Sequence, residues 1–216
     1  MNVSEILYRV RAAIDELGAI DSPSLGENPN SDNLDRVILD KVGYALEWVI
    51  QNAPPSLLEG GLTTQLDSRG ATYRGDKAVE IEIPSDVLRI ISARLSSWIY
   101  SPAISDEHSD TAKMQGYPTT RGTWDAPACI LYNEDDKQIL RMFSAKGGQD
   151  KAYISVIKKP NVSFTDSADG VSEVSIPSRL EASFIYYISA LTMQAMGENP
   201  QTFFEVAQQN LNGNGK

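Results

Sequence analysis

The chain has 216 residues, of which 41% are hydrophobic and 22% charged, with a formal net charge of −10. This balance excludes a disordered tail and a membrane-spanning bundle, since apolar residues suffice for a core and are interspersed with charge. The net acidity excludes unspecific binding to nucleic-acid backbone, an affinity that rests on lysine and arginine releasing counterions.

The first stretch, "MNVSEILYRVRAAI", carries Arg9 and Arg11 and lacks the continuous apolar core of a secretory signal, so no targeting segment is expected. Val3, Ile6, Leu7, Val10, Ala13, Ile14 and Leu17 recur at helical spacing, with Ser4 as a cap and Gly18 as a stop. A polar loop over 21–33 follows and closes on Asp32 or Asn33 as the next cap. A second helix runs from Leu34 to about Asn52, and "APPS" ends it. Between Gly60 and Lys77 the character turns polar and extended.

"AVEIEIPSDVLRIISARL", residues 78–95, alternates Val79, Ile81 and Ile83 with Glu80 and Glu82, which predicts a half-buried strand. Pro84 stops it, and a second strand is expected over 90–100. Residues 101–127 form a long excursion in which 105–115 could make a short polar helix; a connection of this length is usually an interaction surface or a lid. Three strands are then expected over 128–134, 137–145 and 151–160, joined by Asp135-Asp136 and by "KGGQD" as an antiparallel meander. After a polar loop with "DSADG", a strong helix runs from Ser178 to Met196 and stops at Gly197. A last helix starts at Asn199 and Pro200 and places Phe203, Phe204, Ala207 and Leu211 on one side.

The predicted class is α+β, with a four-helix bundle-like body of two N-terminal and two C-terminal helices and an inserted antiparallel β-sheet. Residues 1–77 with 176–211 make the helical domain, 78–160 the β domain, and 212–216 a flexible tail.

No constellation of catalytic groups emerges. His108, the only histidine, lies in the polar "SDEHSD" and reads as solvated. Cys129, the only cysteine, sits beside Ile130 and Leu131 in a strand, where burial makes a thiol inert. The cluster Asn133, Glu134, Asp135 and Asp136 suggests a divalent cation site, but it lacks the alternating ligands and glycine of a calcium loop and reads as a hairpin turn. "DSADG" likewise lacks a completing glutamate, and "EGG" and "KGG" lack the ending of a phosphate-binding loop. Basic residues gather at Arg89 and Arg94 and at Lys158 and Lys159, but without a basic helix or an RNA-binding signature, and Phe184, Tyr186 and Tyr187 read as helix packing rather than a base-stacking platform. Neither a cofactor nor a metal is expected, and the protein is read as a soluble binder of other proteins, not an enzyme. The rival from another class is a metal-dependent hydrolase built on Glu134, Asp135 and Asp136.

The order of pieces carries a resemblance. "IPSDVLRI" with Pro84, Asp86, Leu88 and Arg89, the excursion, "APACILYNEDDKQILRMFSA", the strand end from Tyr153 to Pro160, and "ALTMQAMGENP" from Ala190 to Pro200 make the chain similar to the head-to-tail connector, or adaptor, proteins of tailed bacteriophages. It most resembles the tail tubular protein A type of short-tailed phages, over about residues 34–211. Tyr153 stands farther from Pro160 than the family pattern has it, which leaves the register of that strand open.

The resemblance implies a virion structural protein, assembled in the host cytoplasm into a ring of about twelve copies between portal and tail. DNA would pass its channel without specific binding, and no membrane is involved. Another neck or tail-completion protein is the alternative within this class. Phe203, Phe204 and Leu211 are candidates for portal contact, with truncation after Gly197 expected to remove it and spare the fold. Tyr117 and Trp124 are candidates for contact with the tail or with a neighbouring subunit.

Overall fold

The structure is a computed structural model that describes residues 1–16, 31–58, 62–67, 71–74, 77–147, 150–160 and 173–212, with 31 and 32 by backbone alone. The expectations for Leu17 and Gly18, "EGG", "DSADG" and the tail beyond Asn212 lie outside the described residues, as do parts of the 21–33 loop and of "KGGQD", while the second helix starts at Ser31 and takes in both Asp32 and Asn33, where a cap was expected. In chain order the first elements are α1 (Val3–Glu16), α2 (Ser31–Asn52), α3 (Pro55–Leu58), β1 (Thr64–Gln65), β2 (Thr72–Tyr73), β3 (Ala78–Ile83) and β4 (Val87–Leu95). They are followed by β5 (Ile104–Asp106), α4 (Asp110–Gln115), β6 (Ala128–Glu134), β7 (Lys137–Phe143), β8 (Ala152–Lys158), α5 (Glu181–Ala195) and α6 (Gln201–Leu211). The chain is mixed α+β with two sheets. It divides into a helical unit, Met1–Leu62 with Pro160–Lys216, and a β unit, Thr63–Lys159. The β unit begins before the expected residue 78 because Thr64 and Gln65 pair with β8, and Thr72 and Tyr73 with β3.

In the helical unit α5 is central and α1, α2 and α6 all pack on it. Its sequence explains why: Ser183, Phe184, Ile185, Ile188, Ser189, Ala190, Thr192 and Met193 are all buried, too wide a set for a helix with one wet face. The two buried serines are satisfied locally, Ser183 Oγ donating to the Ala207 carbonyl of α6 (2.7 Å) and Ser189 Oγ to that of Ile185 (2.9 Å). α1 contributes Ile6, Val10, Ala13 and Ile14, and α2 Ile38, Val42, Ala45, Leu46, Val49 and Ile50. Gly197 ends α5 at φ 82°, a left-handed position open to glycine, and lets the Glu198 amide donate to the Met193 carbonyl (3.0 Å).

In the β unit the sheets are three-stranded, β1-β8-β4, and five-stranded, β2-β3-β7-β6-β5. Val79, Ile81, Cys129, Leu140 and Met142 of the larger sheet share a core with Ala93, Leu95, Ile154 and Val156 of the smaller, joined by Trp98. This packing corrects three expectations. The last three strands are not one meander: β6 and β7 pair as a hairpin, but β8 leaves to pair with β4 in the other sheet. The block is not wholly antiparallel, since β5 runs parallel to β6, with Ile104 opposite Cys129. A parallel pair needs a crossover, and α4 supplies it, shorter than the expected 105–115 helix because Ile104–Asp106 is strand. Its Ala112 packs on Ala78, Ala128, Ile130 and Phe143, on the side of the five-stranded sheet away from the shared core.

The turn at Pro84 transfers the chain between the sheets. Pro84 O accepts from the Val87 amide (3.0 Å), Asp86 O from the Lys159 amide (2.7 Å), and the Asp86 carboxylate from Lys158 Nζ (2.7 Å). That last hydrogen bond holds the Asp86 carboxyl below its ordinary pKa. β4 is then irregular, with register shifts between Val87 and Arg89 and between Ile90 and Ser92 that blur its alternation.

Candidate functional site

The excursion is a folded structure with exposed apolar tips. Before it, the Trp98 indole is buried and donates to the Ser144 carbonyl (3.1 Å), while Asp150 accepts from Ser96 Oγ, Ser97 Oγ and the Lys146 amide. Ser109 caps α4 by accepting from the Ala112 amide (3.2 Å). At the other end of α4, Gln115 is buried and its side-chain amide ties the helix to the loop that follows. Nε2 donates to the Thr111 carbonyl (2.9 Å) and Oε1 accepts from the Gly122 amide (2.8 Å), while Arg121 Nε donates to the Gln115 backbone carbonyl (2.9 Å). A Cβ at Gly122 would lie 3.1 Å from the Ala128 nitrogen, tighter than an ordinary van der Waals contact.

Thr123 and Ala126 exchange backbone hydrogen bonds, and Thr123 Oγ1 donates to Asp125 Oδ1 (2.6 Å), which lowers the pKa of that carboxyl. Tyr117 (67% exposed) and Trp124 (47%) project from this frame, with Met114, Ile99 and Tyr100 also exposed. Lys146 Nζ lies 5.3 Å from the Trp124 ring centroid, a cation–π distance. The two residues predicted here for contact are therefore accessible.

The C-terminal candidates are placed differently. Phe203 and Leu211 are 2% and 1% exposed and form the underside of α6, so neither is available for the portal contact expected of it. Phe204 is half-buried against Tyr187 (centroids 5.4 Å). Tyr187 in turn stacks on Trp48 at 4.0 Å with the rings 9° from parallel. This pair borders a groove of about 460 Å³ between α2 and α5, lined also by Lys41, Tyr44, Glu47, Gln51, Leu191 and Gln194. Sequence reasoning missed the groove. The available signal was Tyr44 and Trp48, one helical turn apart and outside the apolar stripe of Val42, Ala45, Leu46 and Val49. A smaller hollow of about 200 Å³ lies between α1 and α5, beside Tyr8 and Tyr186.

The other sequence candidates have structural explanations. Asp135 and Asp136 occupy the two-residue turn between β6 and β7 at φ 47° and 63°, the left-handed pair that such hairpins require. Glu134 accepts from Arg141 Nη2 (2.6 Å), and Arg141 also pairs with Glu80 and lies over the Tyr132 ring (4.3 Å). Among the described residues no three His, Cys, Asp or Glu side chains are grouped to hold a metal. Cys129 is fully buried, and burial pushes its thiol up to about 12. His108 is exposed, 3.6 Å from Glu107. Of the basic residues singled out, Arg89 is half-buried and its pKa lowered by desolvation, Arg94 lies over Tyr153 (5.3 Å), and Lys158 pairs with Asp86. Phe184 is buried in the helical core, Tyr186 is half-buried and Tyr187 turns to the groove. Among the described residues no helix is long and apolar enough to cross a membrane. Comparison with protein-family models and with curated proteins finds no match to this chain.

Proposed function

We propose that the protein is a structural component of a tailed-phage neck, a connector that assembles as a ring between portal and tail and frames the channel for DNA. The observation that carries this reading is the excursion after β4: hydrogen bonds fix its path, and it offers Tyr117, Trp124 and Met114 to solvent. Rigid, exposed aromatic groups are what a protein contact uses, because little side-chain entropy is lost when they are covered. The resemblance of the sequence to connector proteins gives that contact its setting, and the net charge of −10 suits a wall past which DNA must slide.

In this reading α1, α2, α5 and α6 form a four-helix body, and the portal contact belongs to the outward side of α6 with Phe204. Phe203 and Leu211 serve it by anchoring α6. The protein acts in the virion, without enzymatic activity, after assembly in the host cytoplasm. The carboxylate hydrolase has no observation in its favour, since the hairpin turn accounts for Asp135 and Asp136 and Arg141 for Glu134. The test is light scattering on a gel-filtration run of the chain mixed with the portal protein of its phage. Co-migration in a ring-sized species is expected; separate elution of both proteins would overturn the assignment.

A further inference from the structure

The two accessible aromatic features differ in shape. On the excursion Trp124 is a knob, flanked in sequence by the exposed Asp125 and covered on one side by the ammonium of Lys146. Between α2 and α5 lies a hollow of about 460 Å³ bordered by stacked Trp48 and Tyr187, within the size range of small binding pockets. Tyr44 stands at its edge, 68% exposed. The hollow carries one charge of each sign, Lys41 and Glu47. The knob carries the same two signs in Lys146 and Asp125, so one docking polarity pairs Glu47 with Lys146 and Lys41 with Asp125.

We propose that Trp124 of one copy seats in the α2–α5 groove of the next copy. This rests on the ring reading above and names the contact through which the ring closes. A knob and a groove at different places on one chain make a heterologous contact, and such contacts generate rings when the rotation closes, whereas a self-complementary patch stops at a dimer. The occupant is a second copy because the complementary shape and both complementary charges are present on this chain. A buried aromatic also supplies the anchor that dominates protein interfaces.

Sedimentation velocity of the full chain at rising concentration tests this. The wild-type chain is expected to self-associate beyond a dimer, and Trp124→Ala and Tyr44→Ala each to weaken association by about tenfold or more. Both residues are exposed, so melting temperatures should stay near wild type. A mixture of the two variants is the decisive sample: one retains only the groove and the other only the knob, so they should form a heterodimer and stop. Glu47→Lys should weaken association and Lys146→Glu, added to it, restore it. Variants that associate as well as wild type overturn this contact and leave the ring reading standing. A wild-type chain that remains monomeric overturns it too, and the ring reading then rests on the portal mixture alone. Variants that self-associate normally but no longer bind portal would show that the groove serves the portal instead, which also overturns it.

Discussion

Gln115 sits where α4 ends and uses both polar atoms of its amide group, one on the Thr111 carbonyl and one on the Gly122 amide. Replacing it by alanine leaves the Gly122 amide without that partner, a loss of about 1–3 kcal/mol. Gln115→Ala should lower the urea midpoint and expose residues 116–126 to protease; unchanged proteolysis would show that the loop is held by something else. Cys129 makes a prediction about pH. Its folded pKa is raised, to about 12, above the unfolded value, so the stabilisation from keeping the thiol neutral is complete below about 9. It is lost as pH rises from there through 12, so unfolding should become easier across that window, and less so in Cys129→Ala. A thiol reagent at pH 8 should label the chain only when it unfolds. At the hairpin, Asp135→Asn combined with Asp136→Gly suits the left-handed turn better and should stabilise by about 0.5–1 kcal/mol. Thermal melts would check this. The inertness of Cys129 and the turn role of Asp135 and Asp136 were legible in their sequence neighbours; the bridging by Gln115 was not, because its partner Gly122 lies outside any periodic pattern.

Among the elements, α6 is where the structure most changes the expected outcome of an experiment. Truncation after Gly197 removes Phe203, Ala207 and Leu211 from the face of α5 and leaves Ser183 Oγ without its acceptor. It should therefore unfold the helical unit instead of sparing it, as a circular-dichroism melt would show. Phe203→Ala alone should cost about 3–5 kcal/mol. The half-buried Phe204, replaced likewise, should cost clearly less. The sequence did not separate these neighbours because both fall within the width of one apolar stripe. The four long helices and the strands β3, β6, β7 and β8 were readable from 3.6-residue and two-residue periods. Partner choice between strands was not. "KGGQD" resembles a hairpin, yet β8 after it pairs with β4 in the other sheet, and Asp150 accepts from Ser96 and Ser97 at the end of β4. β5 is three residues long and has no pattern to read. The stop at Pro84 has a structural reason: the strand ends there because the next one belongs to a different sheet.

For the molecule as a whole, the two halves of the candidate interface were unequally visible. Trp124 and Tyr117 stood out as aromatics in a polar excursion. The groove could not be seen so easily, because Trp48 and Tyr187 come from distant parts of the chain and meet only when α2 and α5 pack. The net acidity predicts that raised salt, by screening repulsion between like-charged copies, should favour self-association. The central claim is that this chain builds a ring, and electron microscopy of the purified protein, alone and mixed with portal, tests it most directly. The account predicts closed rings with an open central channel, coaxial with the portal; single particles that neither close on themselves nor attach to the portal would contradict it.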